Sequence, residues 1–107
     1  MTDLDDYCAV TKQPVIDLLG LMFDIQTDPT KLTDVVRQVD LLIAAEAVRP
    51  SGLTGEGAVW ERHGLRVLRE MREAAVGGDA PRVWALFSDK EHGLFLLGNT
   101  CHGRSGW

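Results

Sequence analysis

Proline and glycine divide this chain into segments of helical length. The breaks fall at residues 11–14, 28–29, 50–57 and 77–81, and each contains or adjoins an Asp, Ser or Thr that can cap a helix. Between the breaks, apolar residues recur every three or four positions, which is the period of a helix with a buried face. The pattern predicts an all-α fold, a small three- or four-helix bundle.

Capping residues and prolines indicate where the predicted helices begin and end. Pro14 suits the first position of a helix because its missing N–H needs no partner there, so the first helix is expected to begin after Gln13. Asp28 is expected to cap the second helix, which ends before Pro50 because the residue before a proline disfavours the helical conformation. Asp79 is expected to cap the fourth helix.

The C-terminal half is less regular. The third helix is expected to cover residues 58–76 and to stop at Gly77 in a left-handed conformation. Residues 94–97 form an apolar run that is short enough for either a brief extended segment or a final helical turn. The sequence therefore predicts a single helical domain over residues 1–98 and an irregular tail over residues 99–107.

Composition limits the classes of partner. A chain of 107 residues can bury one core, and its net charge of −5 disfavours nucleic acid and anionic membranes, which both require a basic face. The acidic N-terminal segment lacks the features of a signal peptide, and no apolar run is long enough to span a bilayer. The sequence predicts a soluble cytoplasmic protein in which Cys8 and Cys101 are reduced thiols.

The first helix carries the main functional signal. Its apolar residues cover nearly the whole circumference between residues 15 and 25, which is more than one bundle face requires. Trp60 and Trp84 are expected in the core, whereas a tryptophan in the polar tail needs another site to dock. The predicted interface comprises Leu18, Leu21, Met22, Phe23, Ile25, Leu94, Phe95 and Trp107.

These features predict a protein-interaction module, an adaptor, regulator or inhibitor that associates with a protein partner and with itself as a homodimer or homo-oligomer. No catalytic motif is complete, so the chain is expected not to be an enzyme. A ligand-binding bundle is a further alternative, with a cavity lined by Met22, Phe23, Met71 and Phe87.

Histidine and cysteine residues are the candidates for phosphoryl transfer and for metal binding. The sequence His63-Gly64-Leu65-Arg66 resembles the signature of histidine phosphotransfer domains, although Val67 stands where that family has glycine. The resemblance implies a phosphoryl group on His63, with Arg66 as the stabilising cation. His92, Cys101 and His102 are metal-ligating types, but their spacing is not that of a structural zinc site. The sequence therefore predicts neither a metal nor another cofactor.

Overall fold

The computed structural model describes residues 3–104 and 106–107, and within them it confirms the all-α fold. Five α-helices are present among these residues, rather than three or four, and no strand is found there. The bounds are α1 Asp3–Asp24, α2 Leu32–Ala45, α3 Glu56–Val76, α4 Ala80–Ser88 and α5 Leu94–Cys101. Short 3₁₀ turns at Pro29–Lys31 and Glu46–Val48 flank α2.

Helix α1 begins earlier than the sequence predicts. It starts at Asp3 and continues through Pro14, so the expected start after Gln13 is wrong. A proline inside a helix removes a hydrogen bond and costs about 3 kcal/mol. Tyr7 and Cys8 in the first half of α1 are fully buried, and their burial offsets that cost. Packing against the rest of the chain therefore overrides the local signal.

Both predicted capping residues accept a backbone hydrogen bond, but only Asp79 caps the helix expected of it; α2 has Lys31 at its N-cap position and no side-chain cap. The Asp28 carboxylate accepts a hydrogen bond from the Thr30 backbone N–H at 3.1 Å, and the Asp79 carboxylate accepts one from the Arg82 N–H at 3.1 Å. Asp28 caps the 3₁₀ turn that precedes α2. The left-handed glycine after α3 is Gly78, with φ +77°, whereas Gly77 has φ −78°. The expected stop is therefore displaced by one residue.

The C-terminal segment is more helical than expected. Residues 94–97 lie in α5, so the extended alternative is wrong. The helix continues to Cys101 and therefore includes the first three residues of the predicted irregular tail. Gly93 precedes α5, and a Cβ built there would lie 2.5 Å from the Asp89 carbonyl oxygen. Only glycine fits this close approach of backbone to backbone.

Helix α3 packs against α2, α4 and α5, and α1 packs against α2. Trp60 is fully buried at the centre, with its ring over Gly64, where a Cβ would lie 2.6 Å from the indole Cε2. None of the helices within the described residues combines the length and apolarity that crossing a membrane requires. The largest fully buried side chains are Tyr7, Leu18, Met22, Ile25, Val35, Val39, Leu42, Trp60, Leu68, Met71, Leu94 and Leu97.

The two ends of the chain meet in a disulfide. Cys8 in α1 and Cys101 in α5 are bonded, with Cα atoms 5.6 Å apart across 93 positions of sequence. Both cysteines are fully buried. The prediction of reduced thiols is therefore wrong for this structure, because α5 packs beside the first half of α1, and no local pattern reports that contact.

Candidate functional site

An exposed aromatic patch connects three helices. We define the aromatic patch as Phe23 of α1, Trp84 and Phe87 of α4, and Phe95 of α5. Ring centroids lie 6.5 Å apart for Phe23 and Trp84, 6.3 Å for Trp84 and Phe87, and 6.1 Å for Phe87 and Phe95. Phe87 is buried, whereas Phe23, Trp84 and Phe95 are 67%, 41% and 50% exposed. The rings form one continuous surface that is anchored in the core by Phe87.

Helix α1 extends the patch along its outer face. Ile16, Leu19 and Phe23 are spaced i, i+3 and i+7, so their side chains share one face of the helix. Ile16 and Leu19 are 50% and 45% exposed. An aromatic side chain presents about 150–250 Å², so the three exposed rings leave roughly 300 Å² in contact with water. The two aliphatic side chains bring the total to roughly 500 Å², comparable with the largest apolar patch on a typical monomer.

The predicted interface residues differ in their exposure to solvent. Phe23 and Phe95 lie at the surface, and Leu21 and Trp107 are half-buried. The other four, Leu18, Met22, Ile25 and Leu94, are in the core of the single chain. The hydrophobic excess of α1 is nevertheless real, because its exposed part is carried by Ile16, Leu19 and Phe23. Only this exposed part is accessible to a second molecule.

Sequence reasoning misplaced Trp84. It was expected in the core, but Val83 and Phe87 occupy the buried face of α4 and Trp84 points partly to solvent. Val83 and Phe87 are four positions apart and share a face, whereas Trp84 is rotated from Val83 by about 100°. That one-residue offset is the signal that could have identified Trp84 as a surface residue.

A buried polar network also joins α1 and α3 to the 3₁₀ turn that follows α2. The Trp60 indole N–H donates to the Tyr7 hydroxyl at 2.8 Å, and that hydroxyl donates to the Glu46 carboxylate. Arg49 donates to Glu46 at 2.9 Å. Burial, and then the Glu46 charge, raise the pKa of Tyr7. Among the described residues no buried side-chain polar atom lacks a hydrogen-bond partner, so the network has the character of a structural tie.

Glu61 links this region to the loop before α3. Its carboxylate accepts hydrogen bonds from the backbone N–H groups of Leu53 at 2.9 Å and Gly52 at 3.2 Å. These two donors lower the pKa of Glu61. A carboxylate that is engaged in this way fixes the loop and is not available as a proton acceptor.

His63 does not stand alone on α3. Its ring meets the His92 ring edge to face, with centroids 4.7 Å apart. Partial burial, and then the neighbouring His92 and Arg66, lower the pKa of His63, so the neutral imidazole is favoured. The Arg66 guanidinium, the predicted phosphate-stabilising cation, donates to Glu70 at 2.7 Å. His92 is 3.7 Å from the Asp89 carboxylate.

Among the described residues, neither a metal-binding cluster nor the alternative ligand cavity is found. Among the described side chains, no group of three or more His, Cys, Asp or Glu could hold a metal ion. Met22, Met71 and Phe87 are packed in the core, whereas Phe23 stands on the surface, so these four residues do not share an internal cavity wall. An open depression of about 470 Å³ lies between α3 and α4 and is lined largely by charged side chains, including Glu70, Glu73 and Arg82.

Comparison of this chain with protein-family models, curated proteins and solved structures finds no match. Analogy with a known fold or family therefore adds nothing to the case for any function. Function has to be inferred from the surface and contacts of this chain alone.

Proposed function

We propose that this protein is a small helical interaction module that self-associates through the aromatic patch together with Ile16 and Leu19. The observation that carries the proposal is the series of ring contacts from Phe23 to Phe95, in which Phe23, Trp84 and Phe95 are exposed and the buried Phe87 holds them together. Aromatic side chains concentrate at interface centres because they bury much apolar area at little entropic cost. In the single chain this surface is in contact with water, which is unfavourable.

The area suits a second copy of the chain. A standard interface removes about 800 Å² from each partner, of which about 56–65% is non-polar, so each copy contributes about 450–520 Å² of apolar surface. The aromatic patch with Ile16 and Leu19 exposes roughly that amount. A twofold axis through the patch would let each copy present the same surface to the other, as most homodimers do.

The net charge of the chain makes the proposed association depend on ionic strength. Each copy carries a net charge of −5, so two copies repel one another at low ionic strength. Salt screens this repulsion over about 10 Å at 0.1 M. Association through an apolar patch is therefore expected to strengthen as salt is added, whereas an interface held by ion pairs would weaken.

The cytoplasmic location stays a prediction, and the disulfide weighs against it. Disulfides persist in oxidising compartments and are rare in the cytosol. Cys8 and Cys101 are bonded in this structure. An adaptor or regulator role remains part of the proposal, with the patch as its binding surface in either compartment.

Sedimentation velocity between about 1 and 200 µM tests the proposal. Phe23→Glu places a charge where the aromatic patch adjoins Ile16 and Leu19, at a side chain that is 67% exposed, so the fold should tolerate it. Val76→Glu is the matched control, because Val76 is also 67% exposed but lies at the end of α3. Wild type and Val76→Glu are expected to form dimers, and Phe23→Glu is expected to be monomeric. A monomeric wild type over the whole range, or equal dimerisation of Phe23→Glu, would refute self-association.

A further inference from the structure

Arg104 and Trp107, which follow α5, contact residues in the first half of α1. The Trp107 indole N–H donates to the Cys8 carbonyl oxygen at 2.7 Å, and the Arg104 guanidinium donates to the Asp5 carboxylate at 2.8 Å. The Trp107 backbone N–H also donates to the Arg104 carbonyl oxygen at 2.8 Å, so the two residues are hydrogen-bonded to each other. We define Arg104 and Trp107 as the C-terminal cover.

The cover lies beside the disulfide. One edge of the Trp107 ring contacts the backbone of Cys8, and its Cζ3 atom is 3.8 Å from a Cβ built on Gly98. Gly98 is three residues before Cys101, so it lies one helical turn away on the same side of α5. The indole therefore spans the seam between α1 and α5, where Cys8 and Cys101 are joined.

The disulfide itself is closed to solvent. Both cysteines are fully buried, so an attacking thiolate has no path to either Sγ atom in the folded chain. Two routes could expose the sulfur atoms: unfolding of the whole domain, or release of the cover alone. Among the described residues, local release disrupts the packing of the half-buried Trp107 and the two side-chain hydrogen bonds to Cys8 and Asp5, and such openings cost less than global unfolding.

We propose that the C-terminal cover is a gate that controls reduction of the Cys8–Cys101 disulfide, and that its local release admits a dithiol reductant. One thiolate of the dithiol bonds to one cysteine Sγ as the S–S bond breaks, and the other Sγ leaves as a thiolate. The second thiolate of the reductant then displaces the first Sγ. The dithiol is oxidised to a disulfide, and the two protons that it loses end on the two cysteines.

The rate of reduction by dithiothreitol measures the gate. Trp107→Ala removes the indole that spans the seam, and Arg104→Gln weakens the contact with Asp5. Val76→Ala is the control, because Val76 is 67% exposed at the end of α3 and belongs neither to the C-terminal cover nor to the aromatic patch. The appearance of free cysteine thiols is followed by alkylation and intact-mass measurement, at several urea concentrations well below the unfolding transition.

We expect Trp107→Ala to be reduced about tenfold faster than wild type or faster still, Arg104→Gln to show a smaller increase, and Val76→Ala to match wild type. The wild-type rate should change little with dilute urea, since local release exposes little surface. Two results would overturn the gate: Trp107→Ala and wild type reduced at equal rates, or rates in all variants that follow the global unfolding constant with its full urea dependence. The global unfolding constant is measured for each oxidised variant, so that faster reduction caused by a destabilised fold can be distinguished from faster reduction caused by release of the cover.

Discussion

Loss of the disulfide should cost this domain a large part of its stability. The bond closes a loop of 93 positions, and the chain-entropy relation for a loop of that size gives about 4.7 kcal/mol at 25 °C. Domains of this kind are stable by about 5–15 kcal/mol in total. The variant Cys8→Ala with Cys101→Ala is therefore expected to be marginally folded or to lose between a third and most of its unfolding free energy.

Thermal unfolding followed by circular dichroism makes the expectation measurable. An unfolding entropy of about 2.1 cal/mol/K per residue gives about 0.22 kcal/mol/K for 107 residues, so the loss corresponds to a fall in Tm of about 20 °C. Urea titration should also give a larger m value, because the unfolded chain without the cross-link exposes more surface. Reduced wild type should behave like the double variant.

A fall in Tm of less than about 5 °C, in a wild type shown by thiol titration under denaturing conditions to be fully oxidised, would refute this reasoning. It would mean that the unfolded chain already keeps its ends close together, since the stabilisation acts by restricting that state. A wild type with two titratable thiols after purification in air would instead contradict the disulfide. The same titration on the double variant, which should give no thiol, controls the assay.

Other predictions concern two helical glycines and one histidine. Gly20→Ala should raise the unfolding free energy by up to about 1 kcal/mol, since no described atom outside its own helix backbone and chain neighbours lies within 4 Å of the new Cβ. Gly64→Ala should lower the unfolding free energy by about 1–3 kcal/mol, because its Cβ would clash with the buried Trp60. Equal urea midpoints for the two variants would contradict this. Because the pKa of His63 is lowered in the folded chain, its stabilising contribution is present above the unfolded pKa of about 6.5 and is lost as pH falls below it. Between about pH 7.5 and 5.5, the urea midpoint of wild type and of the exposed-site control His102→Gln should therefore fall more than the midpoint of His63→Gln. Parallel pH profiles for the three proteins would contradict a lowered pKa of His63.

Local features of the sequence determined most of the helices. The helical spacing of apolar residues after Pro29 predicts α2 from Leu32, Val35, Val36, Val39, Leu42 and Ile43. Val36 and Ile43 are half-buried, and the other four are buried. Asp79 predicted the start of α4 because a side-chain cap is a contact between near neighbours. Such features are readable because the interacting groups lie within one helical turn of sequence.

The same local reading failed where distant parts of the chain compete with it. Pro14 carries the signal of a helix start, yet burial of Tyr7 and Cys8 keeps the preceding residues helical. The number of helices also depended on packing, since residues 94–97 alone fit a strand or a helix. The burial of Leu94, Leu96 and Leu97 in the packed bundle is a tertiary contact, and propensity within four residues does not encode it.

The sequence by itself determined the fold class, the capped helices and an excess of apolar surface on α1. Only the tertiary structure decided that, between residues 15 and 25, Ile16, Leu19 and Phe23 stay exposed, that Trp84 and Phe95 lie next to them, and that Cys8 meets Cys101. The physical reason is the range of the interactions. Helix periodicity and caps act over three or four residues, whereas the patch and the disulfide depend on which faces of separate helices bury one another.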